Sequence, residues 1–411
     1  MTSLFKTTLI GAAAMAMTVS GSFASDLIIT FDDLNPGPKA AFEAAVEKFK
    51  GENPDINVTV NINDREAHKT AIRNFLTADA PDVTTWYAGN RMRPFVDAGL
   101  FADVSDVWEA NGFSETLAST KPSMTVDGKQ YGVPYTYYQW GVYYRKDIFD
   151  KLGLSEPKTW DEFLAAMRTI NDSGVKPLTI GTKFLWPAAG VFDYLNLRQN
   201  GYDFHNQLTA GEVKYTDPRV RETFARWKEM LDAGGWVDNH ATMDWQEGMS
   251  LFIKGEAAMY VMGNFAVGSM RDGGLTDDQI DFFQFPVINP DIANAEEAPT
   301  DTWHMPTNAK NKENAKKWLA FVAREDVQTE WNKSMGQLPI NSKSSVGDDK
   351  FLQEGFATLN AAAGIAQFYD RDAPAEMAKA GMEGFQEFMV KPDRLDAILE
   401  RLDKVQERVY K

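Results

Sequence analysis

Leu27-Ile28-Ile29-Thr30-Phe31 is an apolar, β-favouring run, the pattern of a strand covered on both faces of a sheet. Phe42, Ala45, Val46 and Phe49 then recur three and four residues apart, which predicts an amphipathic helix packed on that strand. Asn53-Pro54-Asp55 breaks it, and Ile56, Val58, Val60 and Ile62 alternate with polar residues, predicting a second strand that closes a βαβ unit. A second helix carries Ile72, Phe75 and Leu76, and Pro81-Asp82-Val83-Thr84-Thr85 starts a third strand. The opening of the chain is therefore α/β. Further on, Thr159 and Glu162 have capping-box spacing ahead of Phe163, Met167 and Ile170. Asp217-Pro218 opens a helix burying Val220, Phe224, Trp227 and Leu231 and stopped by Gly234-Gly235. Helices after Asn311 (Trp318, Leu319, Val322) and after Asp393 (Leu395, Ile398, Leu402, Val405) complete the pattern. No fixed-period repeat or low-complexity tract interrupts it.

The first residues read differently. Lys6 precedes an apolar run from Leu9 to Val19, and Ser22-Phe23-Ala24 offers small residues for cleavage, the plan of a secretory signal peptide over residues 1–24. The run is too short for a membrane span of about 20 residues. With no cysteine in the chain, neither a lipid anchor nor a disulfide is expected, which points to a periplasmic location. A chain of 411 residues exceeds what one core usually organises, so two lobes are expected. The net charge of −17 argues against nucleic acid and anionic membrane as partners. His68, His205, His240 and His304 show no metal-ligand spacing, and neither a Gly-x-Ser-x-Gly nucleophile nor a phosphate loop occurs. No metal, cofactor or catalytic residue is expected.

Several segments resemble family 1 extracellular solute-binding proteins of ABC importers. They are Ala80-Pro81-Asp82-Val83 with Trp86, Phe95 to Leu100, Asp127 to Tyr135, Tyr144 to Phe149, Pro157 to Phe163, Gly255 to Met259, Ala315 to Leu319 and Gly336 to Asn341. Each is short, and their order spans nearly the whole mature chain. The resemblance implies a two-lobed type II periplasmic-binding-protein fold: central mixed sheets flanked by helices, with a hinge of crossing strands. Crossings are expected near Pro134 to Gln139, Phe282 to Asn289 and Leu338 to Ser344. Lobe one would hold residues 25–135 and 288–341, and lobe two 136–287 and 342–411. The implied function is a monomeric, non-catalytic receptor that closes on a neutral mono-, di- or small oligosaccharide and delivers it to a membrane permease. A polyol or glycerol phosphate receptor, or a secreted glycoside hydrolase, are the alternatives.

A sugar needs carboxylates and amides for its hydroxyls and flat rings for its C–H faces. Asp32 and Asp33 follow the first strand and either reach the cleft or cap the next helix. Trp86 matches a family position for an aromatic contact, with Asn90 and Arg91 in the same loop. Tyr138 and Trp140 lie at the first crossing, and Tyr138 matches a polar contact position of the family. Trp186 resembles the aromatic element of the second lobe, and Asn264-Phe265 follows a strand where many sugar binders carry Trp. Trp303 lies on the return to lobe one, and Tyr369, Asp370 and Arg371 fall in a region that supplies contacts in maltose-binding relatives. A structural ion pair is the other reading of Asp370 and Arg371. Trp160, Trp227 and Trp318 sit on helical faces and are expected in the core.

Overall fold

The computed structural model describes residues 25–410. The expected signal peptide, with Lys6 and the Leu9–Val19 run, lies outside the described residues. A five-stranded sheet has the order Ile56–Ile62, Ser25–Phe31, Val83–Tyr87, Thr300–His304, Val133–Tyr137. Its first three strands are parallel, and Thr300–His304 runs antiparallel to both neighbours. Ile56–Ile62 is an edge strand with alternating exposure, whereas every residue of Val83–Tyr87 is buried. A second, four-stranded sheet is ordered Ile280–Phe283, Trp140–Arg145, Ala257–Gly263, Lys176–Thr179. It is antiparallel except for its last pair.

Each sheet has its own core, built by the helices whose apolar faces the sequence marks. Helix Pro36–Glu52 buries Phe42, Ala45, Val46 and Phe49 against the first sheet. The capping box at Thr159 and Glu162 forms, and helix Trp160–Asp172 buries Phe163, Met167 and Ile170 against the second. In helix Pro218–Asp232 the last buried residue is Met230, and Leu231 is only partly covered. Trp160, Trp227 and Trp318 are buried.

Helix Trp186–Asn200 has no solvent-facing side over residues 187–198, which are all buried, and Arg198 and Tyr194 are bonded internally instead. Arg198 donates to Phe285 O at 2.9 Å, to Glu296 Oε1 at 2.5 Å and to Ala295 O. The Tyr194 hydroxyl lies 2.7 Å from Trp140 O and 2.9 Å from Glu296 Oε2. These bonds hold the segment that leads from the second sheet back to the first.

The sheets are joined most directly through Tyr138 and Gln139, the only residues between strands Val133–Tyr137 and Trp140–Arg145. Leu338 and Tyr137 exchange backbone hydrogen bonds of 3.2 and 3.1 Å beside this link. Helix Lys350–Ala361 differs from the sequence reading, which assigns it to lobe two. Its Phe351 joins the second core while Leu352 and Leu359 join the first, because the helix lies along the junction and buries a face on each side.

Candidate ligand-binding cleft

A cavity of about 690 Å³ opens between the two sheets, within the range of about 300–1,000 Å³ typical of small-molecule sites. One wall is aromatic. Trp140 begins a strand, Trp186 and Trp245 begin helices, and Phe265 follows strand Ala257–Gly263. Their rings form a continuous patch: centroids are 6.0 Å apart for Trp140 and Trp186, 6.4 Å for Trp186 and Trp245, and 5.5 Å for Trp245 and Phe265. Phe368 packs 4.8 Å from Trp140. A Cβ at Gly190 would lie 2.7 Å from the Trp140 ring and 3.2 Å from Phe368, so glycine is what lets the buried helix approach both. The indole N–H of Trp140 and Oδ1 of Asn264, both in lining residues, have no partner among the described residues.

The opposite wall is charged. Asp64 caps helix Arg65–Ala78 by accepting from the backbone N–H groups of Glu66 and Ala67 at 3.1 and 3.0 Å, which brings Arg65, Glu66 and Lys69 to the cavity. Arg65 Nη2 donates to Asp33 Oδ2 at 3.2 Å, with Asp301 at 3.6 Å and Asp32 at 3.8 Å. Burial alone would raise Asp32, but Arg65, His68 and the hydroxyl of Thr85 at 2.7 Å hold its carboxyl below the usual range. For Asp33, burial outweighs Arg65 and Asn35, and its carboxyl is raised.

Arg371 forms the floor of the cleft. It donates to Asp301 Oδ1 at 2.6 Å and to the Tyr138 hydroxyl, and its guanidinium lies 4.5 Å from the Tyr87 ring centroid and 5.4 Å from that of Tyr138. Lys69 Nζ stands 3.6 Å from Asp370. Each of Arg65, Lys69 and Arg371 therefore has an acidic partner, and the cavity offers no unpaired cation among these three. Behind the floor lie Asp193 and Glu297, both fully buried. Neither oxygen of Glu297 meets a donor among the described residues, so its contact with Asp193 is a hydrogen bond only when the two share a proton. Burial and then their mutual repulsion push Glu297 well above the usual range, and burial does the same to Asp193.

Of the sequence candidates, Asp33, Tyr138, Trp140, Trp186, Asn264, Phe265, Asp370 and Arg371 line the cavity. Six do not, and each has a physical reason. Asp32 is buried behind Asp33, bound to Thr85. Trp86 is only 2% exposed: Phe95 packs on it at 5.1 Å and its indole donates to Arg91 O at 3.0 Å, because the short helices after the strand fold over it. Asn90 and Arg91 sit in that cover, in the turn Gly89–Arg91. Trp303 is in the first core, between 5.4 and 6.3 Å from Phe31, Phe42, Trp318 and Trp331. Asp301, two residues earlier on the same face of the strand, reaches the cleft, whereas Trp303 lies deeper, packed on Phe42 of helix Pro36–Glu52. Tyr369 turns into the second core against Phe192 and Phe385, its hydroxyl bonded to that of Tyr215. Arg65, Lys69, Trp245, Asp301 and Phe368 also line the cavity and are not among the sequence candidates. Position at the carboxyl end of strand Ile56–Ile62 is the signal that points to Arg65 and Lys69.

Residues 35–329 match the family described as bacterial extracellular solute-binding protein. The chain belongs to this family. Its members are receptors and not enzymes, and homologues carry the name of ABC transporter binding proteins. One relative, an ABC transporter extracellular-binding protein of Pyrococcus horikoshii, is 28% identical over 333 residues, covering 78% of this chain and 73% of its own. A probable sugar-binding periplasmic protein of Mesorhizobium japonicum is 26% identical over half of each chain. Among solved structures, the bacterial receptor AcbH, described as exclusive for β-D-galactopyranose, superposes with a TM-score of 0.85 at 27% identity, covering 94% of this chain and 100% of its own. A chitin oligosaccharide binding protein has the same fold, with a TM-score of 0.85 at 21% identity over 94% of this chain and 99% of its own. Among the described residues no helix is long and apolar enough to cross a membrane.

Proposed function

We propose that this protein is the periplasmic binding component of an ABC importer, taking a neutral carbohydrate into the cleft and presenting it to a membrane permease. The observation that carries this reading is the pairing of a ring-lined wall with a hydrogen-bonding wall across one cavity. Pyranose C–H faces suit the first, and hydroxyls suit the carboxylates of Asp33 and Asp370 on the second. The sugar-binding names of the relatives point the same way. A glycerol phosphate fits less well, since the four cations lining the cleft, Arg65, Lys69, Arg271 and Arg371, already hold carboxylates and a phosphate would have to displace them. The lobes are residues 25–135 with 288–341 and residues 136–287 with 342–411, helix Lys350–Ala361 being shared between their cores. A ligand that touches both walls favours their approach by its differential affinity.

The test is a thermal-shift screen of mono- to tetrasaccharides, polyols and glycerol phosphate, followed by calorimetry and product analysis. The expected result is a raised melting temperature with at least one neutral sugar, recovered chemically unchanged. Binding of the phosphate alone, or turnover of a sugar, refutes the proposal.

A further inference from the structure

Phe184 is 55% exposed, an unusual state for a phenyl side chain in this protein, yet it lines the same cavity as the buried Trp140. No ring stacks on it among the described residues, and Lys183 Nζ lies 5.5 Å from its centroid. The backbone beside it is strained. Leu185 has φ 67° and ψ −44°, and Trp186 N–H donates to Phe184 O at 2.7 Å, closing a three-residue turn of the rare left-handed kind. A non-glycine residue held there needs surroundings that over-determine it. They are present: Leu185 N–H donates to Thr182 O at 2.8 Å, Lys183 N–H to Met243 O at 2.9 Å, Thr182 N–H to His240 O at 2.8 Å, and Gln386 Nε2 to Thr182 O at 2.6 Å. The consequence of this turn is that Phe184 and Trp186, two residues apart, both face the cavity.

The geometry points to Phe184 as the outermost stacking platform of the cleft, and to a ligand of at least two sugar rings. This inference rests on the carbohydrate reading above and narrows it. A single ring seated against Trp140 and Phe265 is enclosed within the aromatic patch. Trp186, Trp245 and Phe265 pack on one another beside the buried Trp140, and Phe184, in ring contact with none of them, adds a separate exposed apolar face at the mouth for a second ring. A preference for oligosaccharides would separate this protein from its galactopyranose-specific structural relative.

The experiment measures, by calorimetry, affinities for mono-, di-, tri- and tetrasaccharide series of xylose, glucose, galactose and N-acetylglucosamine in the native protein and in Phe184→Ala and Phe184→Trp. Because the side chain is exposed, both variants are expected to melt as the native protein does. The native protein should bind a di- or longer sugar more tightly than its monosaccharide. Phe184→Ala should weaken that longer sugar about 5- to 30-fold, the range of one or two kcal/mol from a partly buried apolar contact, leave the monosaccharide within about twofold, and be rescued by Phe184→Trp. A monosaccharide bound as tightly as every longer homologue, a loss independent of chain length, or no loss overturns the inference while leaving sugar binding intact. Binding of none of these sugars overturns the proposed function and this inference with it.

Discussion

Replacing Arg371 by Met keeps most of the side-chain volume and removes its charge. In the structure the guanidinium joins Asp301 at 2.6 Å, bonds the Tyr138 hydroxyl and lies 4.5 Å from the Tyr87 ring, with Arg371, Asp301 and Tyr138 all buried. After the substitution Asp301 keeps only Arg65, at 3.6 Å, and the Tyr138 hydroxyl loses its partner. Breaking a buried pair from one side typically costs about 3–5 kcal/mol, mostly for the charge left behind. The remaining Arg65 places the expected loss near the lower end, about 3 kcal/mol. Urea unfolding followed by tryptophan fluorescence measures it, and the double variant Arg371→Met/Asp301→Asn separates stranded charge from lost contact. The double variant should recover part of the loss, with a coupling of about 1–3 kcal/mol. A single-variant loss below about 1 kcal/mol, or additive effects, would show that the floor of the cleft is solvated like a surface ion pair and would refute the reasoning.

Trp86→Ala and Trp303→Ala should each cost about 3–5 kcal/mol of stability through the cavity left in the first core, without weakening ligand binding by the folded fraction; calorimetry on folded protein showing a large affinity loss for either would return that residue to the site. Glu297→Gln tests the buried carboxyl pair. Its folded pKa is raised over an unfolded value of about 4.3, so its stability contribution is full below that value and is lost as pH rises toward the folded pKa, by up to about 1.4 kcal/mol per unit. The neutral amide should therefore melt above the native protein at pH 7, with the difference closing toward pH 4. Parallel melting profiles for the two proteins would sink this account, which also involves Asp193, Asp370, Arg371 and, facing Asp193, His205 and Asp372.

The periodic parts of the sequence were legible because burial imposes them directly. The βαβ opening, the capping box at Thr159 and the core tryptophans Trp160, Trp227 and Trp318 all follow from patterns that one face of one element determines. Half of the cleft was legible for the same reason: Trp140, Trp186 and Phe265 stand at element ends where an apolar ring has no helical face to join. The charged half was hidden, since Arg65 and Lys69 on the polar side of a helix look like any solvated pair until the second wall is brought opposite them. Trp86 and Trp303 show the converse failure. Both stand at or near strand ends, and whether such a ring meets solvent or core depends on a covering turn for Trp86 and on the helices packed over the sheet for Trp303, neither of which leaves a local signal.

The two-residue connection at Tyr138 and Gln139 has a mechanical consequence. A rotation of one sheet against the other about this link displaces each atom in proportion to its distance from the axis. Trp140 begins immediately after the link and moves least, while side chains farther from it, toward the exposed mouth, are displaced more. A small ligand held at Trp140 sits near the fulcrum and exerts little torque on the cleft. One that also grips the mouth pulls on a long lever, so the same contact energy resists opening more effectively there. For an oligosaccharide of the kind proposed above, length would then add to how firmly the two halves are held together, beyond its contribution to affinity.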